Sequence, residues 1–501
     1  MTDIGIVSAA ELPSTPQTAR RVRRPRRLVF DPQLIMLGLV FVAGIIVCAM
    51  TPWPHRAIML PAVMIFELTA LYVLVLYRRD RALPVFEIGS VWVAAAFFYS
   101  VYPMINFIAN DYQWDAATSD WRLTSGAPTP ELVGAFGWRY VLYFGSFVLT
   151  YLLLRGRARV RTTEMDSPGR SRIVALVTML VVMQTFLIVI AKVYNFEYNA
   201  PYSEVLSGRV QTLVSLPHLL LQFVQNFDHI RFTYSQFLVS IFLLRWRDWR
   251  YRLALIAVLA VDIVYTASQH GSRSELILLL LTAVLLYHRM VRPLKLKWAL
   301  MIGCAIFGGF LTLGVMRNRA VEPLFDESHV PFLVRNNEFQ AVWATSYDIF
   351  RLKRDGVLGT PPWQLFFSDF YFLVPSQLLP FEKIDPSAWY LNAAGIDGVG
   401  LMFGAVGQAV LGFDWPEIFV RGILLGAIAA MLHRWYVRRY RSWWVNMFYL
   451  FVSVWTYYSM RQTSFASLYF IVYWFVPTYL SVELVAMLLR KTRTRVLGAQ
   501  S

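Results

Sequence analysis

The dominant pattern along the chain is a series of long apolar runs separated by short polar stretches. The runs fall at residues 33–50, 57–77, 87–108, 132–154, 173–194, 226–244, 253–268, 275–288, 298–316, 416–433, 443–460 and 467–489. Many reach the roughly 17–25 residues that an α-helix needs to cross a bilayer core. The pattern predicts an all-α polytopic membrane protein with about 12 transmembrane helices. One interruption, residues 317–415, is far longer than the others and concentrates ionisable groups. The chain thus divides into a basic disordered tail (1–30), nine spans (31–316), a large loop (317–415), three spans (416–489) and a short tail (490–501).

Charge gives this layout an orientation. Clusters at Arg20–Arg27, Arg78–Arg81, Arg155–Arg172, Arg245–Arg252, Arg289–Lys297, Arg434–Arg441 and Arg490–Arg495 hold most of the 47 lysines and arginines, and they fall on alternate connections. Positive residues mark cytoplasmic loops, so both termini are expected in the cytoplasm and the 317–415 loop on the outer, periplasmic side. Residues 398–412 are apolar enough to suggest a further span, which would invert everything after it. That stretch is short and contains Gly398, Gly400, Gly404, Gly407 and Gly412. It reads as a re-entrant or interfacial segment, a form tolerated where backbone is buried in protein or lines a wet cavity.

Composition agrees and excludes several classes. The 501 residues are 57% hydrophobic and only 16% charged, with a mean hydropathy of +0.49, against about 25% charged residues in an ordinary soluble protein. The net charge of +16 is spread over short loops rather than one basic face, so no nucleic-acid partner is expected. Cys48 and Cys304 both lie inside apolar runs, which leaves no disulfide framework or metal-ligand spacing. No DxD-type aspartate pair appears in a cytoplasmic loop, against a cytosolic sugar-nucleotide donor. Neither a metal nor a cofactor is expected.

The candidate chemistry lies on the outer side. The turn Gln269-His270-Gly271-Ser272-Arg273-Ser274-Glu275 places an arginine at the head of an apolar helix. Helix N-termini attract anions, and a guanidinium offers a planar pair of donors suited to phosphate. Arg209, Arg231, Arg317, Arg319, Arg335 and Arg461 fall at the same level, an excess of positive charge that a polyanionic headgroup would explain. Arg273, Arg317 and Arg319 are the first candidates for diphosphate binding, followed by Arg209, Arg335 and Arg461. For a general base, the candidates are His329, Glu338, His270 and Asp397, and the sequence does not choose among them. The loop 109–131 mixes Trp114 and Trp121 with Asp111, Asp115 and Asp120, which suits either sugar contact or an aromatic belt.

Gly271-Ser272-Arg273-Ser274 followed by Leu276–Leu286 resembles the GSR-plus-leucine helix of O-antigen polymerases and ligases. Tyr371-Phe372-Leu373-Val374-Pro375 with Leu379-Pro380-Phe381-Glu382-Lys383 is similar to a stretch of Wzy-type oligosaccharide repeat-unit polymerases. Gly400–Gly412, then Gly422–Leu432 and Arg434–Arg441, resembles that family's closing pattern, although this chain has Gln408 where the family often has Glu. The resemblance covers roughly residues 195–489. It implies a GT-C-like fold and a metal-independent, inverting glycosyltransferase at the periplasmic face of a bacterial inner membrane. Undecaprenyl-diphosphate-linked oligosaccharides would be its substrates and a chain-length regulator (co-polymerase) a partner. The product would be O-antigen or exopolysaccharide. An O-antigen ligase or another lipid-carrier-dependent glycosyltransferase shares these features. A flippase or transporter for lipid-linked sugars is the rival from another class. Transporters often contain two similar halves, and no such repeat is visible here.

Overall fold

A computed structural model describes residues 32–80, 85–109, 128–156, 165–193, 218–268, 273–294, 298, 301–306, 308–309, 338–374, 376–395 and 402–498. Every regular element among them is helical. The α-helices of five or more residues are, in order, α1 (Pro32–Met50), α2 (Arg56–Asp80), α3 (Ile88–Ala109), α4 (Pro130–Arg155), α5 (Arg170–Val193), α6 (His218–Leu244), α7 (Trp249–Ser268), α8 (Arg273–Met290), α9 (Glu338–Arg354), α10 (Pro386–Ala394), α11 (Ala405–Leu411), α12 (Trp415–Arg439), α13 (Trp443–Trp455), α14 (Ala466–Phe470) and α15 (Val476–Gly498). A π turn, Ile471–Phe475, joins α14 to α15.

Six helices among the described residues are long and apolar enough to cross a membrane: Arg56–Asp80, Ile88–Ala109, Pro130–Arg155, Arg170–Ile190, Trp415–Arg439 and Ala466–Thr492. The protein is therefore a helical, membrane-embedded one. The runs expected as spans at 226–244 and 253–268 are helical in α6 and α7 but are not among the six, and 298–316 lies largely outside the described residues. The run at 443–460 is helical in α13 and is also not among the six. α13 is 13 residues long, and Thr456 and Tyr457 keep right-handed helical geometry on the way to the next turn. After it the chain makes a single turn, Tyr458–Arg461, and reverses into α14. The tip of this hairpin is inside the protein: Trp92 donates to Ser459 Oγ at 2.8 Å, and Tyr143, midway along α4, reaches Ser464 at 3.5 Å.

α4 is the centre of one half of the bundle, packed against α2 on one side and α12 on the other. Gly422 and Gly426, one turn apart on α12, allow the second contact. A β-carbon at Gly422 would stand 2.8 Å from the Tyr143 carbonyl oxygen, and one at Gly426 would stand 2.7 Å from that of Phe147. Both distances are below any real contact, and small residues are how membrane helices approach this closely. α5, α6 and α15 form a second group, and α8 packs against α6 and α13.

Ion pairs fasten both ends of the central group. At one end Arg155, with 0% exposure, lies between Asp80 (2.5 Å) and Glu87. At the other, Arg139 makes a two-pronged pair with Asp414, Nε to Oδ1 at 2.7 Å and Nη2 to Oδ2 at 2.5 Å.

The stretch expected as a large outer loop contains two helices that are buried in the bundle. In α9 every residue from Phe339 to Leu352 except Ala341 is buried, polar ones included. A helix buried all round belongs in a protein interior, and α9 lies against α3, α4 and α11. All seven residues of α11 are buried. At about 10 Å long, α11 cannot span a bilayer.

Candidate functional site

Burying α9 carries its first residue, Glu338, into the bundle. There Glu338 Oε1 accepts from the Tyr99 hydroxyl of α3 at 2.8 Å and pairs with Arg461 Nε at 2.8 Å. Arg461 ends the single turn at the hairpin tip. Its Nη1 donates to the Tyr458 hydroxyl at 3.0 Å, its guanidinium lies 5.1 Å from the Tyr458 ring centre, and Met402 Sδ is 3.2 Å from its Nε. Three separate elements thus meet at one carboxylate: α3, the start of α9 and the hairpin tip. Glu338 also stands at a helix N-terminus, where negative charge is favoured.

The pair is enclosed without being sealed. The Glu338 and Arg461 side chains are 16% and 15% exposed. Among the described residues Glu338 Oε2 and Arg461 Nη2 have no partner, so one acceptor and one cationic donor stay open. Beside them an apolar cavity of 350 Å³ lies between α3, α8 and residues 302–306, and it is bordered by Tyr99, Phe339 and Tyr457. The arrangement offers an acceptor oxygen and a cationic donor beside an apolar cavity.

A second buried cluster joins α11 and α12 to the segment before α10. Arg421 bridges Asp369 (2.6 Å) and Glu417 (2.6 Å), and its Nη2 donates to the Phe366 carbonyl at 3.3 Å. The Gln408 amide nitrogen donates to Ser368 Oγ at 3.0 Å and to Asp369 Oδ2 at 3.3 Å. Two buried acceptors, Asp369 Oδ1 and Gln408 Oε1, have no hydrogen-bond partner among the described residues. Nearby, the Lys353 ammonium donates to the carbonyls of Val410 (2.7 Å), Leu411 (3.2 Å) and Gly412, closing the C-terminus of α11. Burial pushes the Lys353 pKa down, while Asp414 and Glu417 pull it up.

Of the ten site residues expected from the sequence, the structure brings together Glu338 and Arg461. Arg273 is the first residue of α8, with its side chain outside the described residues. His270, His329, Asp397, Arg209, Arg317, Arg319 and Arg335 also lie outside the described residues. Sequence reasoning passed over Arg139, Asp369, Asp414, Glu417 and Arg421. A signal existed for two of them, since Arg139 and Arg421 are charged residues inside apolar runs, where an ionisable group is a functional candidate by default. Among the described residues no group of three His, Cys, Asp or Glu side chains is placed to hold a metal ion. No protein-family model, curated protein or solved structure matches this sequence.

Proposed function

We propose that this protein polymerises undecaprenyl-diphosphate-linked oligosaccharide repeat units into O-antigen or exopolysaccharide at the periplasmic face of a bacterial inner membrane. The observation that carries this reading is the Glu338–Arg461 pair, set inside a membrane-embedded bundle beside an apolar cavity. A substrate with a lipid tail and a charged head requires both environments at one place. The free Nη2 of Arg461 suits an oxygen of the departing diphosphate, where a fixed cation lowers the energy of the charge that develops. The free Oε2 of Glu338 suits the proton of the attacking sugar hydroxyl. Tyr99 and Arg461 would hold that carboxylate in one orientation, and the cavity would take a length of the polyprenyl chain. Arg273, at the head of α8, is a second candidate for the diphosphate.

The test is genetic and chemical. In the host, deletion of the gene is expected to leave single repeat units on their carrier, seen as loss of the glycan ladder on a gel. Full-length polymer held on the undecaprenyl carrier would instead indicate a ligase, and absence of any outward-facing lipid-linked unit a flippase. Complementation with Arg461→Ala or Glu338→Gln is expected to restore no ladder. A normal ladder from both variants at normal protein levels sinks the assignment of the pair.

A further inference from the structure

The end of the bundle that carries Arg155 has a feature unrelated to the Glu338–Arg461 pair. A cavity of 390 Å³ opens between the last turns of α4 and α12, lined by Leu153, Leu154, Arg155, Gly156, Arg434, Val437 and Arg438. Its two kinds of lining differ in what they lack. Arg155 is already neutralised by Asp80 and Glu87. Arg434 makes only a 3.5 Å contact with the Leu154 carbonyl, and Arg438 has no ion pair or hydrogen bond among the described residues. These two arginines are four residues apart, so they project from one face of α12, and both are exposed. Beneath them Leu153 is 70% and Leu154 42% exposed, at the end of a helix long and apolar enough to cross a membrane.

We propose that this cavity binds an anionic phospholipid, with Arg434 and Arg438 on its phosphate and Leu153 and Leu154 against its acyl chains. Two open guanidiniums supply what a phosphate group needs, a set of charged donors in fixed geometry. A free phosphate ion would satisfy the arginines but leave the leucines uncovered. A zwitterionic lipid would cover the leucines but bring a second cation to the arginines. Only a lipid with net negative charge answers both halves of the lining. The site lies where headgroups are found, at the boundary between an apolar helix and an arginine-rich connection.

Native mass spectrometry of the full-length protein, titrated with phosphatidylglycerol or phosphatidylcholine, tests the proposal. Phosphatidylglycerol is expected to bind with clear preference. Arg434→Gln with Arg438→Gln should weaken it about 30-fold, from about 1 kcal/mol per basic residue near an anionic headgroup. The paired Lys variants should keep most of the binding. Arg250→Gln with Arg252→Gln, the same charge change at exposed positions on α7, should leave it unchanged. Where the paired Gln variant does not fold, the single variants decide, each with an expected loss of about fivefold. Unchanged phosphatidylglycerol binding in the Gln variants overturns the proposal, as does an equal loss in the α7 control, which would indicate diffuse surface charge. Displacement of the lipid by millimolar inorganic phosphate overturns the assignment to a lipid.

Discussion

If the Glu338–Arg461 contact organises the centre of the bundle, the two residues must be energetically coupled, and a double-mutant cycle measures this. The perturbations are Glu338→Ala, Arg461→Ala and the two combined. At 2.8 Å and an effective dielectric of about 20, the gross attraction is about 6 kcal/mol, opposed by the cost of taking both charges out of water. With side chains only 15–16% exposed, the pair belongs to the buried class rather than to surface pairs, which contribute about 0–1 kcal/mol. Removing one partner strands the other, so each single variant is expected to lose about 3 kcal/mol. The double variant removes both the attraction and the stranded charge, and should lose about as much as either single. The coupling is then about 2–3 kcal/mol. Tyr99→Phe, which deletes a hydrogen bond to a charged group, should cost about 1.5 kcal/mol alone and almost nothing when Glu338 is already Ala. The assay is reversible unfolding in mixed micelles, followed by tryptophan fluorescence, with expression and oligomeric state checked for each variant. Costs that add to within about 0.5 kcal/mol would mean that the two charges act independently and that the contact organises nothing.

Gly426→Leu should drive α4 and α12 apart, since its β-carbon would meet the Phe147 carbonyl at 2.7 Å and Thr150 Cβ at 3.2 Å; a loss of about 3 kcal/mol is expected, and an unchanged unfolding midpoint contradicts the packing. Lys353→Met removes the ammonium that closes α11, at about 2 kcal/mol, and hydrogen exchange should quicken over 405–414 while α4 stays protected; unchanged exchange there counts against the cap. Tyr371 lies outside the six spans and donates to the Ile384 carbonyl at 2.5 Å, and burial pushes its phenol up to about 12. A group raised above its unfolded value near 10 contributes stability that is present below pH 10 and is lost as pH climbs toward 12. Unfolding midpoints should fall across that window and fall less in Tyr371→Phe; parallel curves for the two proteins contradict this.

Several features were legible in the sequence because each depends on composition and spacing alone. Runs of about 20 apolar residues give membrane helices whatever their neighbours are, and α2, α3, α4, α5 and α12 fall where the runs do. Residues 398–412 read as a segment too short and too glycine-rich to cross; the described part of it contains α11, a buried helix of seven residues. The fate of 338–354 was not legible. Glu338, Gln340, Asp348, Arg351 and Lys353 make this stretch look like a solvated loop, yet α9 is buried. Two of its polar groups are answered by residues far away in the chain, Gln340 by Asn106 and one oxygen of Asp348 by Tyr390.

The same distinction governs the site. Sequence alone determined that this is a helical membrane protein, that its charges cluster between apolar runs, and that Glu338 and Arg461 merit attention as polar residues near spans. It could not pair them, because they are separated by more than a hundred residues and either could have been solvated alone. Only the tertiary structure decided that α9 enters the bundle, that the chain turns back after Arg461, and that Tyr99 completes the contact. The physical reason is that a charge excluded from water must find its partner within the fold, and which partner is near enough depends on how the helices pack rather than on any local pattern.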